Sequence, residues 1–135
     1  MVDLYWDDKH EKFAVLLSPG YGSGWSTWNV PEIAYDKRIV EWYYAHNSQD
    51  FRSKVIQFGL HQKESKEHKE ANKFFTECGY PETYFGGFPH VDVRWVAAGA
   101  LWRIKEYDGA ESIEYFDTTL WNQFYYNEGE SNEAR

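Results

Sequence analysis

The sequence has 135 residues, a length typical of one domain and too short for two well-buried cores. Its formal charge of −8 disfavours a protein that follows the nucleic-acid backbone, because such binding needs a dense surface of Lys and Arg. A single cysteine, Cys78, excludes an internal disulfide and a multi-cysteine zinc site. Aromatic residues make up 20% of the chain, so we expect rings both in the core and at the surface.

The first predicted elements are a buried strand and a glycine-rich loop. Residues 13–17 form a short apolar run that is far too short to span a membrane, and residues 18–25 follow it with three glycines at alternate positions. Asn29 and Glu32 have the spacing of a capping box, and Pro31 suits a first turn. The pattern therefore predicts a helix from about Asn29 to His46.

Two more helices are predicted in the middle of the chain. Ser48 and Asp50 open a stretch with apolar residues at helical spacing, and Gly59 is the predicted end of that helix. The next helix is largely polar between Gln62 and Lys73, and its packing face comes from apolar residues just before Gly79.

The C-terminal part has the period-two alternation of strands. Residues 91–95, 101–106 and 111–116 alternate, and Asp108-Gly109-Ala110 has the composition of a hairpin turn. We expect an α+β fold: an antiparallel sheet of about four strands, the N-terminal strand joining the C-terminal meander, with two or three helices packed on one face. Residues 1–126 form the predicted domain, with 120–126 either a strand or a short helix, and residues 127–135 the predicted mobile acidic tail.

The glycine-rich loop before Asn29 is the first candidate site. Alternate glycines let the backbone approach a ligand, and the N–H groups of a helix start attract an anion. Ser26 and Thr27 could bond a phosphate or ribose, while Trp28 and its neighbouring rings could stack on a base. The loop lacks the Lys of a Walker loop and the spacing of a dinucleotide fingerprint. A strand-to-helix turn whose tryptophans fill the core is an equally good interpretation.

The second candidate is the loop 84–88, where two glycines lie between rings. If the two loops meet, they form one aromatic cleft suited to a small ligand, and otherwise residues 84–88 are a turn with core aromatics. A phosphate would also need cations from the set Lys37, Arg38, Arg94, Arg103 and Lys105. The predicted ligand-binding residues are Tyr21, Gly22, Ser23, Gly24, Trp25, Ser26, Thr27, Trp28, Tyr84, Gly86, Gly87, Phe88 and Arg103.

Catalytic and metal chemistry find little support in the residues. No catalytic set, metal site or cofactor is predicted, and His90 with Asp92 is more typical of a surface pair than of metal ligands. Acidic residues crowd the last hairpin, including Glu106, Glu111 and Glu114, where a solvated charged edge is the favoured interpretation and general acid–base work the alternative. The sequence therefore favours a binding protein over an enzyme.

Two segments resemble a family of small, largely uncharacterised bacteriophage proteins. Residues 16–29, LLSPGYGSGWSTWN, and residues 102–117, WRIKEYDGAESIEYFD, carry the resemblance, and the passage 79–87 adds to it. The resemblance implies a phage origin and a role in the cytoplasm of the infected bacterium. It brings no activity and no catalytic residues.

Two functions are therefore weighed for a phage accessory protein that counters host defence. In the first, the chain captures a small nucleotide-like ligand in the cleft of glycines and rings, without catalysis. In the second, it binds and inhibits a host defence nuclease or another host enzyme, with an acidic surface that mimics nucleic acid. Duplex nucleic acid and membranes are not expected partners, and the number of rings favours self-association.

Overall fold

The computed structural model describes residues 2–56 and 64–116. The predicted helix end at Gly59, the segment 120–126 and the acidic tail 127–135 lie outside these ranges. The strands are β1 (Trp6–Asp7), β2 (Lys12–Leu17), β3 (Asp92–Ala97), β4 (Trp102–Tyr107) and β5 (Ala110–Tyr115). The helices are α1 (Lys37–Ala45), α2 (Gln49–Lys54) and α3 (Lys66–Glu77), with 3₁₀ turns at Ser26–Trp28, Pro31–Ala34 and Phe88–His90. No helix in these ranges is long and apolar enough to cross a membrane.

The fold is α+β with antiparallel strands, as the alternation and helical spacing predict. The strands divide into two sheets, β1-β2-β3 and the hairpin β4-β5, instead of forming one. The turn of that hairpin uses Asp108 and Gly109, both with positive φ, which explains the turn composition seen in the sequence.

The division into two sheets follows from the burial of β2 on both faces. Ala14 and Leu16 pack in the cluster formed with the helices, whereas Phe13, Val15 and Leu17 pack against apolar side chains of the hairpin. An apolar face opposite the helices has to be covered, and the hairpin covers it instead of extending the edge of the first sheet. The result is three layers, with helices, the sheet β1-β2-β3 and the hairpin in that order.

The helix starts are set by local hydrogen bonds. Ser48 caps α2 and Ser65 caps α3, each accepting a bond from the amide three residues on. The predicted helix from Asn29 is wrong in its start, because the chain makes two 3₁₀ turns before α1 begins at Lys37 with Asp36 as its cap. The Asn29 side chain instead bonds the Trp25 carbonyl and both backbone groups of Tyr84.

Asp36 is buried and joins α1 to the loop after α3. Its carboxylate accepts from the Arg38 amide at 2.9 Å, from the Arg38 guanidinium at 2.7 Å and from the Tyr80 hydroxyl at 2.7 Å. Burial acts to raise the pKa of Asp36, but the hydrogen bonds from Arg38 and Tyr80 outweigh it and hold the pKa below its ordinary value. This carboxylate therefore stabilises the fold in its ionised form.

Asp36→Asn should destabilise the protein most near neutral pH and progressively less in acid. A lowered folded pKa contributes stability that is complete above the pKa of an unfolded Asp, about 3.9, and is lost as the pH falls through the folded value. Urea unfolding of the wild type and the variant from about pH 7 to about pH 2 measures this difference. A difference in free energy that does not change with pH would contradict the assignment.

Candidate functional site

The glycine-rich loop is closed by a carboxylate of the chain itself. Glu111, at the start of β5, is 2% exposed, and its Oε1 accepts from the Ser18 amide at 3.0 Å. Its Oε2 accepts from the Trp25 amide at 2.8 Å, from the Thr27 amide at 3.0 Å and from the Thr27 hydroxyl. The amides that the sequence suggested for a phosphate therefore already bind an anion, and that anion is internal.

The position of Glu111 corrects the expectation of a solvated acidic edge at this residue. Glu111 and Ile113 are two residues apart in β5, so their side chains lie on the same face of the strand, and Ile113 packs against the apolar cluster between the hairpin and β2. That spacing is the one signal in the sequence that indicates an inward carboxylate. Its four donors lie 84 to 93 residues away in the chain, so the sequence pattern could not identify them.

The two glycine-rich loops do meet. A Cβ on Gly87 would lie 2.2 Å from the Gly24 carbonyl oxygen, so the two backbones are in direct contact and leave no room for a side chain. The hairpin turn closes on the same loop, because the Gly22 amide donates to the Asp108 carbonyl at 2.9 Å and a Cβ on Gly109 would lie 2.6 Å from the Ser23 amide nitrogen. The contact fills the space between the loops and leaves no cleft between their glycines.

Burial separates the predicted site residues into two groups. Trp25 and Phe88 are completely buried and pack together at a centroid distance of 5.7 Å, which corrects the expectation that they contact a ligand. Trp28 and Tyr84 are 44% and 45% exposed and stack on each other at 5.8 Å. Gly86 lies against the Tyr84 ring, and a Cβ there would be 2.0 Å from the Tyr84 hydroxyl oxygen.

A small pocket brings together three other predicted residues. It measures about 390 Å³ and is lined by Ser26, Thr27 and Arg103 with apolar groups that include Tyr35 and Trp102. Arg103 is held by Glu114 and lies 5.6 Å from the Phe116 ring, while the Thr27 hydroxyl is used by Glu111. Among the described residues, the Ser26 hydroxyl is buried without a hydrogen-bond partner, whereas the Thr27 hydroxyl and the Arg103 Nε are each bonded to a carboxylate.

A larger groove lies between β3 and β5, and we call it the β3–β5 groove. It measures about 540 Å³ and is lined by Tyr21, Tyr107 and Tyr115 and by Trp95, whose ring also meets Tyr5 at a centroid distance of 6.3 Å. Tyr21 and Tyr107 are 74% and 72% exposed, and they meet edge to face at 6.3 Å. Tyr21 is the predicted site residue in this groove. The sequence predicted the hairpin that carries Tyr107 and Tyr115, but it could not indicate that β3 lies beside that hairpin.

Two cations line the same groove. Arg94 contacts Asp92 through one nitrogen at 2.8 Å, which leaves the other guanidinium donors available. Lys105 also lines the groove, and no carboxylate of residues 2–56 or 64–116 lies within 4.0 Å of its ammonium. The groove combines positive charge with exposed rings in a protein whose net charge is −8.

Metal ligands are not grouped in the described ranges, which contain no cluster of three or more His, Cys, Asp or Glu side chains that could hold an ion. Cys78 is half-buried, and burial raises the pKa of its thiol. Comparison with known proteins finds no protein family, no curated protein and no solved structure that matches the chain.

Proposed function

We propose that this chain is a bacteriophage accessory protein that counters host defence by binding a small nucleotide-like ligand, without catalysis. The proposed site is the β3–β5 groove. The observation that carries the proposal is the presence of three exposed tyrosines and two cations along one groove of about 540 Å³. Ligand sites of small molecules commonly occupy about 300–1,000 Å³. The phage origin rests on the resemblance of residues 16–29 and 102–117.

The rings support recognition of a flat ligand. Contiguous exposed apolar patches often mark binding sites, and Tyr21 and Tyr107, which touch each other, are among the most exposed rings of the described chain. A base stacked on such a ring gains about 1–3 kcal/mol. The edge-to-face contact of Tyr21 with Tyr107 gives the base a preformed wall.

The cations support recognition of a phosphate. Arg94 offers planar donors that suit phosphate oxygens, and Lys105 offers a point charge. An acidic protein needs such local positive charge to hold an anion, since its net charge of −8 repels one from elsewhere. Glu111 also lines the groove, but its oxygens accept four hydrogen bonds and are thus not free to act as a base. This arrangement supports binding over hydrolysis.

Direct inhibition of a host defence enzyme is the second candidate. The observation that favours it is the stacked pair of Trp28 and Tyr84, both of which are exposed. Exposed aromatic pairs are common anchors of protein interfaces. The acidic character of the chain suits a partner whose site is built for nucleic acid.

The test of the ligand site is calorimetric titration with AMP, GMP, CMP and UMP. We expect at least one of them to bind the wild type, and Tyr107→Ala to weaken that binding about tenfold because a stacking surface is lost. Tyr44→Ala is the matched control, since Tyr44 is an exposed ring outside the groove. This variant should bind the nucleotide as tightly as the wild type does. Equal losses in the two variants, or no binding of any nucleotide, would count against the site.

The test of the biological role is native mass spectrometry of the protein purified from infected, defence-positive cells. A released small molecule with the mass and the ultraviolet absorption of a nucleotide supports the ligand proposal and identifies the ligand. A stoichiometric host polypeptide in place of a small mass supports the inhibitor instead.

A further inference from the structure

Two residues of β3, Val93 and Trp95, turn their backbone groups away from β2, and only those of Val93 have hydrogen-bond partners among the described residues. In the pairing of β2 with β3, Arg94 and Val96 bond to β2, and the Ala98 amide continues the ladder to the Glu11 carbonyl at 2.9 Å. Val93 and Trp95 therefore turn their backbone groups away from β2. The Val93 amide donates to the Asp92 carboxylate at 2.9 Å, and its carbonyl accepts from Arg94 at 3.2 Å.

The amide and the carbonyl of Trp95 lack such hydrogen-bond partners within the described ranges. Among the described residues, no hydrogen bond joins its amide or its carbonyl to a side chain or to another strand. Trp95 is partly exposed and lines the β3–β5 groove. This residue therefore presents an adjacent donor and acceptor to whatever occupies the groove.

The outer edge of β5 faces the groove in the same way. The Phe116 amide bonds the Leu101 carbonyl at 3.0 Å, which continues the ladder with β4 and sets Ile113 and Tyr115 facing away from it. The Glu111 amide, in the same phase, bonds the Ser18 carbonyl at 2.8 Å. No bond to the outward groups of Ile113 or Tyr115 is formed within the described ranges, and both residues line the groove.

We propose that the groove reads a nucleobase through these strand-edge groups, with Trp95 supplying the principal donor and acceptor. The inference rests on the proposed function and specifies it: the ligand class is a nucleotide whose base-pairing edge is unsubstituted. Such an edge carries a donor and an acceptor on neighbouring atoms, which match the N–H and C=O that one strand residue turns to the same side. The base would lie against the groove rings, and its phosphate near Arg94 and Lys105.

The closed position at Val93 favours a base over an extended peptide. A peptide that adds to a strand edge bonds to alternate residues, and Val93 and Trp95 are the alternate outward residues at this end of β3. Asp92 and Arg94 already satisfy Val93, and the carbonyl of Ala97, the next outward residue, accepts from the Ala100 amide at 3.2 Å. On the described part of β3, Trp95 is therefore the outward residue with both backbone groups unbonded, which suffices for a base but not for a ladder along β3. A peptide could pair only along β5, at Ile113 and Tyr115, and amide exchange at Trp95 distinguishes that outcome.

The first test compares the tightest-binding of the four nucleotides with its analogue methylated on the base-pairing edge, and with ribose 5-phosphate. We expect the methylated nucleotide to bind at least about tenfold more weakly, because the groups of Trp95 are left without partners. Equal affinity of the methylated and unmethylated nucleotides would overturn the inference that Trp95 bonds the base-pairing edge, and would leave the proposed function intact. If none of the four nucleotides binds, the proposed function itself fails.

The second test needs no variant and measures amide hydrogen exchange by NMR. In the free protein the Trp95 amide should exchange faster than those of Arg94 and Val96, which bond to β2. Saturation with the nucleotide should slow exchange at Trp95 by at least about tenfold, as expected of an amide that gains a hydrogen bond. Binding that leaves the Trp95 exchange rate unchanged would contradict the proposal, as would protection by an extended peptide but by no nucleotide.

Discussion

Glu111→Gln should lower the free energy of unfolding by about 3 kcal/mol. The buried Glu111 carboxylate accepts hydrogen bonds from three backbone amides and one hydroxyl. A glutamine keeps one acceptor oxygen, but its NH₂ group would face donors, so at least one buried amide would lose its partner. The loss of a charge-assisted hydrogen bond reduces stability, and so does a buried amide that is left without an acceptor.

The matched control is Glu114→Gln on the same strand. Glu114 is partly exposed and pairs with Arg103 at the surface, where an ion pair contributes up to about 1 kcal/mol. Urea unfolding of the wild type and both variants measures the two free energies on one scale. If the two glutamine variants unfold at the same urea concentration, the hydrogen bonds of Glu111 do not stabilise the contact between the glycine-rich loop and the hairpin.

Trp25→Ala should cost about 3–5 kcal/mol, whereas Trp28→Ala should cost only about 1 kcal/mol. The Trp25 side chain is completely buried and packs against Phe75, Phe85 and Phe88 at centroid distances of 6.0, 6.3 and 5.7 Å. Its removal leaves a cavity in the core that neighbouring rings cannot fill. Trp28 stacks on Tyr84 at the surface and donates from Nε1 to Glu106 at 3.4 Å, so its loss removes surface contacts and opens no buried cavity.

Thermal unfolding followed by circular dichroism measures the two tryptophan variants side by side. We expect Trp25→Ala to have a markedly lower Tm, and Trp28→Ala to retain a cooperative transition close to that of the wild type. Equal Tm values would mean that Trp25 is not part of the core. Since Trp28 lies outside the β3–β5 groove, its variant should also bind nucleotide as the wild type does.

Local patterns in the sequence predicted most of the fold because their causes act over a few residues. Ser48 caps a helix through a bond to an amide three residues on, and Gly79 ends α3 with a positive φ that suits glycine. The alternation of residues 102–115 predicted the two strands and the turn between them. The start of α1 was missed because Asn29 is used in contacts with Tyr84, 55 residues away.

The candidate site could be predicted only in part. Tyr21 was selected from the glycine-rich loop, and Arg94 and Lys105 were named among the available cations. Trp25 and Phe88 were predicted to contact a ligand, but the helices and loops bury them together. The type of residue was therefore informative, whereas its exposure depended on which elements pack over it.

The sequence by itself determined the fold class, the helix caps, the strand alternation and an excess of rings over what one small core can bury. Only the tertiary structure decided that Glu111 accepts from the amides of the glycine-rich loop, and that Trp95 and Tyr107 line one groove. Periodicity and capping are properties of neighbouring residues, so they can be identified in the sequence. The placement of the hairpin on β2 brings together residues more than 80 positions apart, and that depends on how two apolar faces pack.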